Sequence, residues 1–236
     1  MASIVTEIKK EMRLLADPKR AEVSKWYFKT GPGEYGESDI FIGLTSSHMH
    51  ALSKKHRETN FSDILKLLKS RIHEERMLAL LIWTLQFPKA DPAQQKKIFT
   101  AYLKNTRYVN NWDLVDLSAP SLIGSYLFER DKKILPKLAK SKLLWERRIA
   151  MLATLFFIRN GVFRPTLEIA EILLQDKEDL IHKAVGWMLR EIGNRDMAAE
   201  EKFLKRYYKK MPRTMLRYAI EKFPENKRKK YLEGKI

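Results

Sequence analysis

The sequence predicts an all-α protein built from stacked helix pairs. Three observations carry this. Sustained two-residue alternation is missing, and no Asn-Gly or Asp-Gly turn joins two alternating runs as a hairpin would require. Apolar residues recur at helical spacing through most of the chain. Segments of similar build also return at similar intervals.

In chain order, MASIVTEIKKEMRLL interleaves charges with apolar residues at helical spacing and predicts an opening helix. KTGPGEYGESD, residues 29–39, breaks that helical region. It lacks the Gly-Lys-Ser/Thr ending of a phosphate loop and follows no strand, so it reads as a structured connector. EERMLALLIW (74–83), WERRIAMLATLFF (145–157), HKAVGWMLREI (182–192) and PRTMLRYAIEKF (212–223) each begin polar or basic and then turn apolar on one face. They read as the second helices of successive pairs. FPKADPAQQKK (87–97) and GNRDMAAEEK (193–202) read as short polar linkers.

Glu75-Arg76 precedes Glu146-Arg147 by 71 residues, and Arg148 precedes Lys183 by 35. These intervals are close to two periods and one period of a HEAT-like repeat, whose stacked pairs make a curved solenoid with a concave face. A compact helical bundle remains the alternative on spacing alone. No linker is long enough to divide the chain, so residues 1–236 are expected to form a single domain.

The 236 residues carry a formal charge of +17. The last stretch, 195–236, holds 14 Lys/Arg against 6 Asp/Glu. Such an excess favours a polyanionic partner. The absence of cysteine removes disulfides, thiolate nucleophiles and cysteine-ligated zinc, and the five histidines form no familiar ligand spacing. No metal site and no cofactor are expected. The longest apolar run, 149–158, is too short to span a bilayer, and the N-terminus is neither signal nor transit peptide. The expectation is a cytoplasmic protein.

RYVNNWDLVDLSAP (107–120) sets acids inside this basic chain. On a helix Trp112 and Asp116 share a face, whereas Asp113 turns about 100° away and is expected to cap or pair locally. Trp187 lies between Lys183 and Arg190 on one helical stripe. Trp83 and Trp145 read as core. For Asp116 the residues alone leave two readings open, a functional carboxylate or one that caps or pairs with a neighbouring arginine.

WYFKTGPGEYGESDIFIGL (26–44), NNWDLVD (110–116), ERRIAML (146–152), KAVGWMLRE (183–191) and MPRTMLRYAIEKF (211–223) together resemble the signature blocks of the AlkD family of alkylpurine DNA glycosylases. They fall in order over nearly the whole chain. The resemblance implies a HEAT-like solenoid whose basic concave face holds duplex DNA, and excision of N3- and N7-alkylated purines without a cofactor. It implies Asp116 as the catalytic carboxylate. Trp112, Trp187 and Tyr27 would lie at the lesion, and Arg148, with Lys183 and Arg190, on the DNA backbone. The protein is expected to act as a monomer. Where many relatives carry a proline and then an arginine after the FIGL segment, this chain has Ser47 and His50, with Lys54 and Lys55 nearby as substitutes for the charge.

An alkylated purine is already cationic, so its glycosidic bond is weak and the sugar's developing positive charge is what needs stabilising. A carboxylate does that, and an indole face attracts the same cation. The alternative is a non-catalytic HEAT-like module that grips nucleic acid or an acidic partner through its basic face.

Overall fold

A computed structural model describes residues 3–37 and 39–236; Met1, Ala2 and Ser38, the last within the predicted connector, lie outside the described residues. The chain is all-α and composed of HEAT-like helix pairs. Among the described residues the one extended pairing is an isolated parallel bridge between Ile40 and Ile72. No helix among them is long and apolar enough to cross a membrane. The chain separates into two compact units, Met1–Ser118 and Ala119–Ile236.

The first unit opens with the helix Ile4–Leu14, capped by the Ser3 hydroxyl on the Thr6 N–H and burying Val5, Ile8 and Met12. Asp17 caps the next helix, Pro18–Tyr27, where Pro18 takes the position that needs no N–H donor. The glycine-rich connector is structured as expected. Glu34 accepts the Gly31 N–H at 2.8 Å, Glu37 accepts that of Gly33 at 3.1 Å, and the Gly36 N–H returns to the Lys29 carbonyl at 3.0 Å. The unit's central helix, His73–Gln86, packs against Ser46–Lys55 and Phe61–Leu68 and buries Leu78, Leu80, Ile82 and Trp83 completely. Each such side chain contributes roughly 1.5–3 kcal/mol by leaving water.

In the second unit, Leu144–Arg159 packs against Ile134–Ala139, Arg164–Ile172 and Asp179–Gly193. It stops at Asn160-Gly161 by a Schellman closure. Gly161, at φ +73°, donates to the Ile158 carbonyl and Val162 donates to that of Phe157. An Asn-Gly pair that could have turned a hairpin therefore ends a helix.

The repeat spacing has a local cause. Three helices begin with the same device, a side chain that accepts the N–H two residues on and a carbonyl that accepts a cationic or imidazole side chain six residues on. Ser70 accepts the Ile72 N–H at 3.1 Å and Arg76 at 3.2 Å. Ser141 accepts the Leu143 N–H at 3.1 Å and Arg147 at 3.1 Å. Asp176 accepts the Glu178 N–H at 2.9 Å and His182 at 2.5 Å. These starts are separated by the same 71 and 35 residues.

Three sequence expectations need correction. Both polar linkers are largely helical, since Asp91 caps Pro92–Lys104 and Asp196 caps Met197–Tyr207, each accepting the N–H three residues on. The 212–223 segment is α-helical only over Arg213–Ala219 and tightens to a 3₁₀ turn at Ile220–Lys222, just before Pro224 stops it. Trp83 is core, but Trp145 sits half-buried in the first turn of its helix.

Gly186 fixes the approach of Asp179–Gly193 to Arg213–Ala219. A Cβ there would lie 2.4 Å from the Tyr218 Cβ and 2.5 Å from the Met215 carbonyl oxygen. Gly186→Ala is expected to lower the thermal midpoint, because this overpacking outweighs the ~1 kcal/mol that alanine gains in a helix. A midpoint at or above that of the unaltered protein would show that the helices yield.

Candidate active site

The acids of the 107–120 stretch sit in the first unit, on the helix Trp112–Ala119. Asn111, fully buried, accepts the Trp112 N–H through Oδ1 at 2.8 Å and so opens the helix at the tryptophan. Asp116 follows one turn later. Pro120, four residues after Asp116, has no N–H to return to its carbonyl, and the chain continues as a π-turn, Pro120–Gly124. Asp116 thus lies at the point where the regular ladder ends. Its neighbour Tyr102, wholly buried, has its hydroxyl pKa raised, first by burial and also by the Asp116 charge. Ser118, 3.0 Å from the Tyr102 hydroxyl, works against the shift.

Trp112 belongs to an aromatic column. Phe28 stacks on it with centroids 5.4 Å apart, and Phe41 stacks on Phe28 at 5.0 Å. Tyr27 meets Trp112 edge-on at 5.9 Å and is 54% exposed, so the column ends at solvent with the tyrosine at its rim. The structure therefore brings together Tyr27, Trp112 and the Asp116 helix.

Beneath the column lies a charge network that the sequence reading did not assign. His73 is buried against Phe41, centroid to centroid 4.5 Å. Its Nδ1 lies 3.0 Å from Asp39 and its Nε2 2.8 Å from Asp113. Burial works against the imidazolium, but the flanking carboxylates of Asp113 and Asp39 prevail and raise the His73 pKa to about 9. Asp39 also accepts Arg76 at 2.5 Å and Asn111 at 3.0 Å. Burial pushes the Asp39 carboxyl up, yet His73, Arg76 and Asn111 hold it down at about 2. Glu74 accepts the N–H groups of Ile42 at 3.0 Å and Gly43 at 2.8 Å, which moors the chain beside Phe41.

The partner of Asp113 is thus 40 residues away and not local, although its Oδ1 does accept the Leu114 N–H at 2.8 Å. Two sequence features pointed to this network. Titratable residues crowd the first turn of an otherwise apolar helix at 73–76, and two asparagines stand together at 110–111.

The remaining candidates lie in the second unit. Lys183 pairs with Asp179 at 2.7 Å, Trp187 donates to Glu191 at 3.3 Å, and Arg190 pairs with Glu221. The stripe is therefore balanced by acids and is not a row of unpaired cations. Arg148, expected on the DNA backbone, is buried here and donates to the Leu180 carbonyl. Its neighbour Arg147 is held by Asp176 at 2.6 Å. Arg148→Ala is expected to lower the thermal midpoint while leaving the salt dependence of DNA binding unchanged. A slope smaller by about one in log–log terms would return Arg148 to a phosphate. Ser47 and His50 are exposed on the Ser46–Lys55 helix. Of the two lysines nearby, Lys55 pairs with Glu11 at 2.8 Å and Lys54 is exposed.

The family profile described as DNA alkylation repair enzyme matches residues 8–223. The chain belongs to this family. Among solved structures, a predicted DNA alkylation repair enzyme from Enterococcus faecalis is similar in fold, with a TM-score of 0.68 at 16% identity, covering 89% of this chain and 97% of that one. No curated protein matches the chain. In this DNA alkylation repair family member, the matched region contains the aromatic column, the His73 network and both acids of the Trp112–Ala119 helix.

Proposed function

We propose that this family member is a DNA glycosylase that excises cationic N3- or N7-alkylated purines from duplex DNA. The observation that carries this reading is the Trp112–Ala119 helix. It presents Asp116 one turn from an aromatic column rimmed by exposed Tyr27, and a buried ion network fixes its first turn.

In the proposed reaction, the bond between the sugar C1′ and the purine nitrogen breaks with its electron pair going to the base, which leaves neutral. The C1′ cation develops next to the Asp116 carboxylate, whose fixed charge stabilises it with little reorganisation. Water then adds to C1′ and its proton passes to Asp116 or solvent, giving an abasic site. Trp112 and Tyr27 offer π-faces and edges to the cationic nucleotide. Trp187, Lys183 and Arg190 are proposed as DNA contacts on the resemblance alone. Lys183 and Arg190 would exchange Asp179 and Glu221 for phosphates, an exchange that costs little at such partly exposed pairs.

The test is incubation with methylated duplex DNA in excess EDTA, with released base and abasic sites as the readout. Release is expected to persist, because the leaving group is already activated and the mechanism needs no metal. Loss of release that a divalent ion restores would overturn the metal-free reading, and release under no condition would favour a binding module.

A further inference from the structure

The back of the Pro92–Lys104 helix carries a groove that the proposed reaction does not use. Ile98 and Tyr102 are buried on that helix's inner side, where Tyr102 meets Ser118. On the far side Ala93, Lys97, Thr100 and Lys104 recur at steps of four, three and four residues and form one stripe. Opposite them run Phe61, Leu65 and Lys69, spaced by four along the Phe61–Leu68 helix and its C-terminal cap. Between the two stripes lies a groove of 650 Å³, lined by these residues with Lys96, Ala101 and Asn105. Its floor is apolar, from Phe61, Leu65, Ala93 and Ala101, and its rims are lysines.

No acid lines the groove. Among the described residues Lys69, Lys96, Lys97 and Lys104 form no ion pair, although many other lysines in the chain do, such as Lys66 with Asp63 and Lys55 with Glu11. Lys97 lies 4.2 Å from the centroid of the Phe61 ring, and all four lysines are exposed.

We propose that this groove docks an acidic amphipathic helix of a partner protein. The apolar floor decides between the polyanions. A phosphate backbone gains from lysines but has nothing to place on Phe61, Leu65 and the alanines, whereas an amphipathic helix buries its apolar stripe there and sets its acids against both rims. The stripe from Ala93 to Lys104 is about 16 Å long, which accommodates about three helical turns of the partner. The site lies on the side of its helix opposite Tyr102, so the proposal does not depend on the glycosylase reading.

The experiment uses the full chain and a fluorescein-labelled helical peptide with leucines along one stripe and glutamates on both flanks. A shuffled peptide of the same composition is the control, and undamaged duplex DNA the competitor. The patterned peptide is expected to bind at least about tenfold tighter than the shuffled one. The triple variant Lys69→Ser, Lys97→Ser, Lys104→Ser is expected to bind both peptides alike, and duplex DNA is not expected to displace the patterned peptide. Equal binding of the two peptides to the unaltered chain would overturn the proposal. So would displacement by duplex, or loss of duplex binding in the triple variant, either of which makes the groove a phosphate track. Should the triple change cost folding, Leu65→Gln alone decides, since loss of the floor must weaken the patterned peptide and leave the shuffled one unaffected.

Discussion

Asp116→Asn is expected to reduce single-turnover base excision by about 10²- to 10³-fold, the size of loss when one preorganised electrostatic group is removed from a reacting centre. Asparagine keeps the shape of the side chain, so the Trp112–Ala119 helix and its Asn111 start are retained and the thermal midpoint is expected to change little. Asp113→Asn is expected to do the reverse. Its carboxylate supports buried His73 at 2.8 Å, so the change should cost about 2 kcal/mol of stability, the range for a hydrogen bond to a charged group. Excision per folded molecule should remain nearly intact. Measuring both quantities for both variants separates the two acids. Excision lost in Asp113→Asn and kept in Asp116→Asn would reverse their roles, and excision kept in both would mean that neither acid is the catalytic carboxylate.

Asp39→Asn is expected to be the most destabilising single change at the site, by about 3–5 kcal/mol, because it leaves Arg76 and His73 as buried cations short of an anion. The same network sets a pH dependence. His73 has a folded pKa raised to about 9 from 6.5, so its contribution is fully present below about 6.5 and is lost as pH rises through about 9. Asp39 is lowered to about 2 from 3.8, so its contribution is present above about 3.8 and is lost only as pH falls through about 2. Buried Glu200, raised to about 8 by its burial first and by Glu201, adds a second loss as pH rises from about 4.5 to 8. The thermal midpoint is therefore expected to fall between pH 6.5 and 9, and the part of that fall belonging to His73 should shrink in Asp39→Asn. An unchanged alkaline slope in that variant would mean that His73 is not the group titrating. Glu200→Gln, which removes the other slope, identifies the remainder.

The sequence by itself determined the helical class, the repeat interval and the residues of the candidate site that lie on one helix. Those are local properties. A period of 3.6 residues, an Asp-Pro start or a Trp–Asp step of four is set by neighbours in the chain, and even the 71- and 35-residue intervals reflect a start device contained within seven residues. The Asp-Pro at 91–92 was legible too, as a helix start inside an apparent linker. Tertiary structure alone decided which charges have partners. Nothing in NNWDLVD says that Asp113 meets a histidine 40 residues earlier, that the same histidine meets Asp39, or that Phe28 and Phe41 stack behind Trp112. Nor does ERRIA say that Arg148 donates to the Leu180 carbonyl 32 residues on. The physical reason is range. Backbone preferences act over one or two turns, whereas a buried charge takes whichever opposite charge the packed helices bring within about 3 Å, and that choice is fixed only when the core closes.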